Sequence, residues 1–236
     1  MSTSIRYLLF DAVGTLIYPR PGVSEVYVEH GRRYGSRRTA EEIKERFGPA
    51  LARSDREADA GRTSEAREYD RWRQIVAEVF DDVSDTSDLF AELWQYFATS
   101  QAWALYDDVV PTWEMLTQRG FRIGIASNFD ARLRSVCAGH TTLARCEYLF
   151  ISSELGFAKP HPGFFAEVLK RLDVPAEQLL FIGDDPRRDI AGAKQAGWQA
   201  LLIDRIGGAS IVSVLSAISL SPHLVPLGGD IARGCD

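Results

Sequence analysis

Lysine is scarce in this sequence: only Lys44, Lys159, Lys170 and Lys194 stand among its 27 cationic side chains. Arginine carries the rest, so each lysine can be weighed singly. Cysteine is scarcer still. Cys137, Cys146 and Cys235 are odd in number and show no C-x-x-C spacing, which argues against a disulfide framework or a cysteine zinc site. His30, His140, His161 and His223 are scattered, with no paired spacing suited to a metal. Metal chemistry, where present, has to be carboxylate chemistry. No apolar run is long enough to span a bilayer, and Met1-Ser-Thr-Ser4 leads into the first apolar stretch without an apolar leader, so a cytoplasmic protein is expected. Positive charge is in deficit: the net charge of -6 argues against a general electrostatic grip on nucleic acid or an anionic membrane. Internal repeats and low-complexity blocks are missing as well.

What remains is an ordinary globular composition, 45% hydrophobic and 25% charged over 236 residues, enough for one large domain or a core with a modest insertion. The chain is organised around Tyr7-Leu-Leu-Phe-Asp-Ala-Val-Gly-Thr-Leu16. An apolar run this short, stopped by a turn signal, reads as a strand buried on both faces of a parallel sheet. Asp11 then stands at the carboxyl edge of that sheet, where open α/β folds place their chemistry. A carboxylate there has to be hydrogen-bonded, metal-bound or exposed in a cleft.

Beyond Thr15, Tyr18-Pro-Arg-Pro-Gly22 reads as a loop or linker. From about residue 23 to about residue 100 the apolar residues recur at helical spacing, which predicts helices over 24–34, 39–60, 65–80 and 87–98. Thr39 and Glu42 form a capping box at the head of the second. This segment is expected to be a small helical bundle. After Trp103 the pattern changes. Helices at 110–119, 131–138, 163–172 and 190–196 alternate with strands at 122–126, 148–151, 179–182 and 200–203, which means βαβ units and a parallel sheet. A last helix is expected over 210–218, followed by a poorly ordered tail at 221–236.

Polar residues of one chemical kind follow the strand ends: Asp11, then Ser127 and Asn128, then Lys159 in a proline-flanked loop, then Asp184, Asp185 and Asp189. A parallel sheet brings these ends to one edge. Clustered acids repel unless a cation sits among them, and magnesium, which prefers oxygen ligands, suits such a set. Ser127 and Lys159 would face an anion held there. The arrangement suits a phosphoryl group, whose charged oxygens need electrostatic clamping.

Asp11-x-x-Gly-Thr15, Ile-Ala-Ser127-Asn, Lys159-Pro-His-Pro and Gly-Asp184-Asp-x-x-x-Asp189 resemble, in order and spacing, the four motifs of the haloacid dehalogenase-like hydrolase superfamily. Within it the chain is most similar to the subgroup of haloacid dehalogenase-like hydrolase domain-containing protein 3, where a D-x-V-G-T-L start also occurs. The resemblance implies an α/β fold with a Rossmann-like parallel-sheet core, residues 1–16 and 104–236, and a helical-bundle cap inserted after the first strand, residues 17–103. It implies Asp11 as a nucleophile forming an aspartyl intermediate, with Ser127 and Lys159 beside it as catalytic groups. Magnesium would be held by Asp11, the Val13 backbone carbonyl, Asp184 and Asp189, with Asp185 more structural than ligating. Asn128, Thr15 and Arg20 would contact a small phosphorylated substrate. Tyr69, Trp72 and Arg73 are candidates for the underside of the cap.

One position departs from the pattern. Phosphatases of this superfamily usually carry a second Asp two residues after the nucleophile, and here it is Val13. An aliphatic side chain transfers no proton, and a positioned acid/base is worth about 10²- to 10⁴-fold in rate. Four readings stay open: a phosphoryl hydrolase whose leaving group needs no help from position 13, a haloacid dehalogenase, a phosphonatase-type hydrolase using a cap lysine, for which only Lys44 is available, and a non-catalytic metal-binding interaction protein.

Overall fold

A computed structural model describes residues 5–58 and 61–216. In chain order, β1 (Tyr7–Phe10) and β2 (Ile17–Pro19) precede four helices, α1 (Val23–Arg33), α2 (Ala40–Ala58), α3 (Glu65–Val79) and α4 (Ser87–Tyr96). There follow β3 (Trp103–Leu105), α5 (Val109–Gln118), β4 (Arg122–Ser127), α6 (Arg132–Ala138), β5 (Tyr148–Ile151), the single turn α7 (Ser152–Leu155) and α8 (Pro162–Leu172). β6 (Leu179–Gly183), a π-helical turn at Pro186–Ala191, α9 (Gly192–Gln195), β7 (Gln199–Leu202) and α10 (Ile211–Leu215) complete the described chain.

Five strands form one parallel sheet in the order β5-β4-β1-β6-β7. β1 lies at its centre because it has apolar side chains for both faces. Leu8 and Phe10 enter a cluster with Ile123, Ile125, Leu180 and Ile182, covered by Trp113 of α5 and Val136 of α6. Leu9 points the other way, to Ala126, Phe181 and Phe165 of α8. Two apolar faces thus demand two helical layers, and the parallel strands all end at the same edge. Phe10 pairs with Ile125 on one side and Ile182 on the other, so Asp11, Ser127 and Asp184 emerge together.

The four helices between β2 and β3 have an apolar cluster of their own, built on Tyr27, Ile43, Ile75, Val79, Phe80, Leu89 and Leu93. The Thr39 capping box forms as expected: Thr39 N–H donates to Glu42 Oε2 at 2.8 Å and Glu42 N–H to Thr39 Oγ1 at 3.3 Å.

Two local expectations need correction. Tyr18 and Pro19, expected in a loop, belong to β2, which pairs antiparallel with β3, Ile17 opposite Leu105 and Pro19 opposite Trp103, so the two chain crossings between sheet and helices lie side by side as a ribbon. Three-residue strands carry no readable periodicity, and this pairing is remote in sequence. The helix expected from 190 begins at Pro186, because the Asp185 carboxylate caps it by accepting from Arg187 N–H and Arg188 N–H, each at 2.8 Å. The end of the second helix at 59–60, the last helix beyond 216, the 221–236 tail and the four N-terminal residues lie outside the described residues.

Candidate active site

Lys159 is the centre of the site. The residue is 1% exposed, and its three N–H donors are all used: Asp11 Oδ1 at 2.8 Å, Asp189 Oδ1 at 2.7 Å and the Ala126 carbonyl at 3.0 Å. Burial by itself would lower the ammonium pKa, but the two carboxylates outweigh it and raise the pKa, so the lysine stays charged. Its loop is fixed by Asn128, whose Oδ1 accepts from Lys159 N–H at 2.7 Å and whose Nδ2 donates to the Lys159 carbonyl at 2.9 Å. Both ends of the Asn128 amide are therefore engaged in holding Lys159. Asn128 lines the cavity, yet its polar atoms act on the protein where the sequence suggested substrate.

Asp11, Asp184 and Asp189 each bring a carboxylate oxygen within 4.8 Å of the others. Asp189 accepts on both oxygens, from Lys159 Nζ and, at 3.0 Å, from Asp185 N–H. Burial and the Asp11 charge push its pKa up to about 6, against the opposing pull of Lys159. Asp184 is also raised, by burial first and by Asp11 next, with the Thr15 hydroxyl opposing. Three acids and one ammonium leave an excess of negative charge in a largely buried place. A hard divalent cation fits this donor set, because it would offset that excess through oxygen ligands.

Thr15 is fully buried and donates from Oγ1 to Asp184 Oδ1 at 3.1 Å. It orients an acid and does not line the cavity, a correction to its expected substrate contact. Gly14 explains why the turn before it can sit so close. Its φ is +85°, and a Cβ there would collide with the Asp184 carboxylate. Ser127 ends β4, buried, lining the cavity, and it is Asp130 Oδ1 that accepts from the first N–H of α6, that of Arg132, at 3.1 Å. Val13 lines the cavity too. Arg20 is exposed and does not: Pro19 takes the cavity wall, so the arginine contact expected from its proximity to the nucleophile turn is absent.

The cavity has a volume of about 420 Å³ and lies between the sheet edge and the helical segment. Of the three cap candidates, Trp72 lines it, whereas Tyr69 and Arg73 do not. Lys44 is exposed on α2 and lies off the cavity. The helical segment is seated on the sheet by Glu65, whose carboxylate accepts from Ala131 N–H at 3.0 and 3.1 Å and from the Ser153 hydroxyl. Thr63 N–H adds a bond to the Gly156 carbonyl at 3.1 Å.

Five charged residues on the cavity wall, Asp55, Glu68, Arg71, Arg132 and Arg188, were not anticipated. Arg71 donates to Ser54 Oγ at 2.6 Å, to Glu68 Oε2 at 3.0 Å and to Asp55, and Asp55 also pairs with Arg188 at 3.1 Å. Arg132 is held by Asp130 through two 2.7 Å bonds and lies 3.5 Å from the centre of the Trp94 ring. The Asp130-x-Arg132 and Glu68-x-x-Arg71 spacings offered local signals. The Arg71, Asp55 and Arg188 contacts join elements distant in sequence.

The chain is similar to haloacid dehalogenase-like hydrolase domain-containing protein 3 of Danio rerio, 26% identical over 214 residues that cover 88% of each chain. Among solved structures it is similar to the magnesium-bound HAD-hydrolase YfnB of Bacillus subtilis, with a TM-score of 0.68, 21% identity and 84% and 87% of the two chains covered. It is similar in fold to the L-2-haloacid dehalogenase of Xanthobacter autotrophicus as well, at a TM-score of 0.67, 21% identity and coverage of 92% and 85%. The sequence pattern of haloacid dehalogenase-like hydrolases matches residues 5–197, which span every site residue described above. This chain therefore belongs to the haloacid dehalogenase-like hydrolase family and is a hydrolase.

Proposed function

We propose that this hydrolase cleaves small phosphate monoesters, with magnesium, through an aspartyl-phosphate intermediate at Asp11. The observation that carries this reading is the convergence of the Asp11, Asp184 and Asp189 carboxylates around Lys159. A metal there would be held by Asp11, Asp184 and the Val13 carbonyl, with Asp189 contributing or fixing Lys159. When bound, it would neutralise phosphoryl charge and let an anionic nucleophile approach an anionic ester. An Asp11 oxygen attacks phosphorus, the bond to the ester oxygen breaks, and that oxygen departs with the bonding electrons. Water then attacks the aspartyl phosphate, releasing inorganic phosphate and restoring the carboxylate. Ser127 binds a phosphoryl oxygen, and Lys159 positions the Asp11 carboxylate through their 2.8 Å hydrogen bond.

Val13 leaves the departing oxygen without a neighbouring acid at that position, so alcohols of low basicity are favoured as leaving groups. The dehalogenase reading has Val13 and a shared fold in its favour, but a halide departs without needing a cluster of three acids. Phosphonate cleavage through Lys44 loses its ground, since that lysine is exposed and off the cavity.

The test is steady-state hydrolysis of a phosphate-ester panel including p-nitrophenyl phosphate, with magnesium and with chelator, beside Asp11→Asn. Magnesium-dependent turnover that disappears in Asp11→Asn is expected. Turnover of 2-chloropropionate with no ester cleaved would replace this reading by the dehalogenase one.

A further inference from the structure

The cavity continues well beyond the acids, and its far wall has a different chemistry. Tyr27, Phe47, Leu51, Trp72, Phe97 and Phe129 face it, drawn from α1, α2, α3, the end of α4 and the loop after β4. The charged residues on that wall are already matched to one another. Arg71 is shared among Ser54, Asp55 and Glu68; Arg188 pairs with Asp55; Arg132 is doubly bonded to Asp130; and Glu68 Oε1 accepts from Thr63 Oγ1 at 2.7 Å. A charged or polyhydroxyl group entering here would have to break one of these partly or fully buried pairs, or lose its own water without replacement. A flat apolar group loses nothing and gains ring contacts. The floor is the reverse: Ser127 and the positive charge of Lys159, with a cation that the acid cluster would hold, suit a phosphoryl group and offer an apolar one nothing. Val13 lies on the same cavity and extends its apolar surface close to Asp11.

Resting on the phosphohydrolase reading, we infer that the substrate is a phosphate monoester of an uncharged alcohol that carries an aromatic ring, with the ring lying against the cavity faces of Trp72, Phe47 and Phe129. Sugar phosphates, polyol phosphates and nucleotides, whose bodies are polar, are excluded by the same wall.

Leaving-group acidity must be held constant to test this, because any aryl ester is also an activated one. The pair is therefore 3-phenylpropyl phosphate against propyl phosphate, assayed with magnesium beside glycerol phosphate. Burying the phenyl ring is expected to raise kcat/KM by roughly 30-fold or more over the propyl ester. The non-hydrolysable 3-phenylpropylphosphonate and propylphosphonate, titrated by calorimetry with magnesium, should differ in Kd in the same direction. Trp72→Ala should shrink both ratios toward one; should that variant not fold, the wild-type pair still decides the question. Esters cleaved without a phenyl preference, or phosphonates that bind equally or not at all, would overturn the inference. Phosphonates that discriminate while neither these esters nor p-nitrophenyl phosphate is cleaved would support this pocket and overturn the phosphatase reading alone.

Discussion

Replacing Lys159 by Met keeps the length of the side chain and removes its charge. In the native protein the ammonium is 2.8 Å from Asp11 and 2.7 Å from Asp189, and neither it nor Asp189 is more than 1% exposed. At an effective dielectric constant of about 20, each contact is worth roughly 6 kcal/mol of attraction. Desolvation of three charged groups cancels most of that. What the substitution leaves behind is two neighbouring buried carboxylates and the orphaned Ala126 carbonyl, a situation that costs about 3–5 kcal/mol. Urea unfolding of metal-free protein at neutral pH measures it. Asp189→Asn removes one of the uncompensated charges, so the double variant Lys159→Met/Asp189→Asn should recover part of the loss, a coupling that a cavity or packing defect would not show. Magnesium should likewise stabilise Lys159→Met more than the native chain, because the cation replaces the missing positive charge. A loss under about 1 kcal/mol, or no recovery in the double variant, would refute the electrostatic account of the site.

Gly14→Ala should destabilise by about 1–3 kcal/mol, since the residue must hold a φ of +85° and the new methyl meets the Asp184 carboxylate. It should also weaken magnesium binding measured by calorimetry, which a purely conformational strain would leave alone. His140 is held below its usual pKa of 6.5, by burial first and against a hydrogen bond it donates to the Trp103 backbone, and its buried Nε2 has no hydrogen-bond partner among the described residues. The folded state thus binds this proton less readily than the unfolded chain. Its contribution to stability is whole above pH 6.5 and is lost as the pH falls through the folded value. His140→Gln should therefore flatten the decline in unfolding free energy between pH 7 and pH 5; an unchanged decline would contradict this.

The sheet was legible because its strands are short apolar runs closed by Gly, Asn or Asp, a pattern set by burial on both faces. That Asp11, Ser127 and Asp184 meet was legible for a related reason, since polar residues at the ends of buried strands share one edge, whereas Lys159 and Asp189, farther from a strand end, were placed there by motif resemblance. The roles of Asn128 and Thr15 were not. An amide or a hydroxyl beside a nucleophile serves ligand and protein equally well on sequence grounds, and only the 2.7 Å and 3.1 Å contacts to Lys159 and Asp184 distinguish them. Arg20 misled because closeness in sequence to Asp11 says nothing of direction once β2 turns the chain. The wall residues Arg71, Asp55 and Arg188 were invisible because their pairing depends on how the helices pack over the sheet, a contact between distant segments.

The proposed mechanism turns on a covalent phosphoryl group on Asp11. Rapid quenching of the protein during turnover of a ³²P-labelled ester with magnesium, followed by peptide mapping, reads it directly. Acid-stable, hydroxylamine-labile label on the peptide containing Asp11, absent in Asp11→Asn and with chelator, is the predicted result. Turnover without label on that peptide, or label that survives in Asp11→Asn, would contradict it.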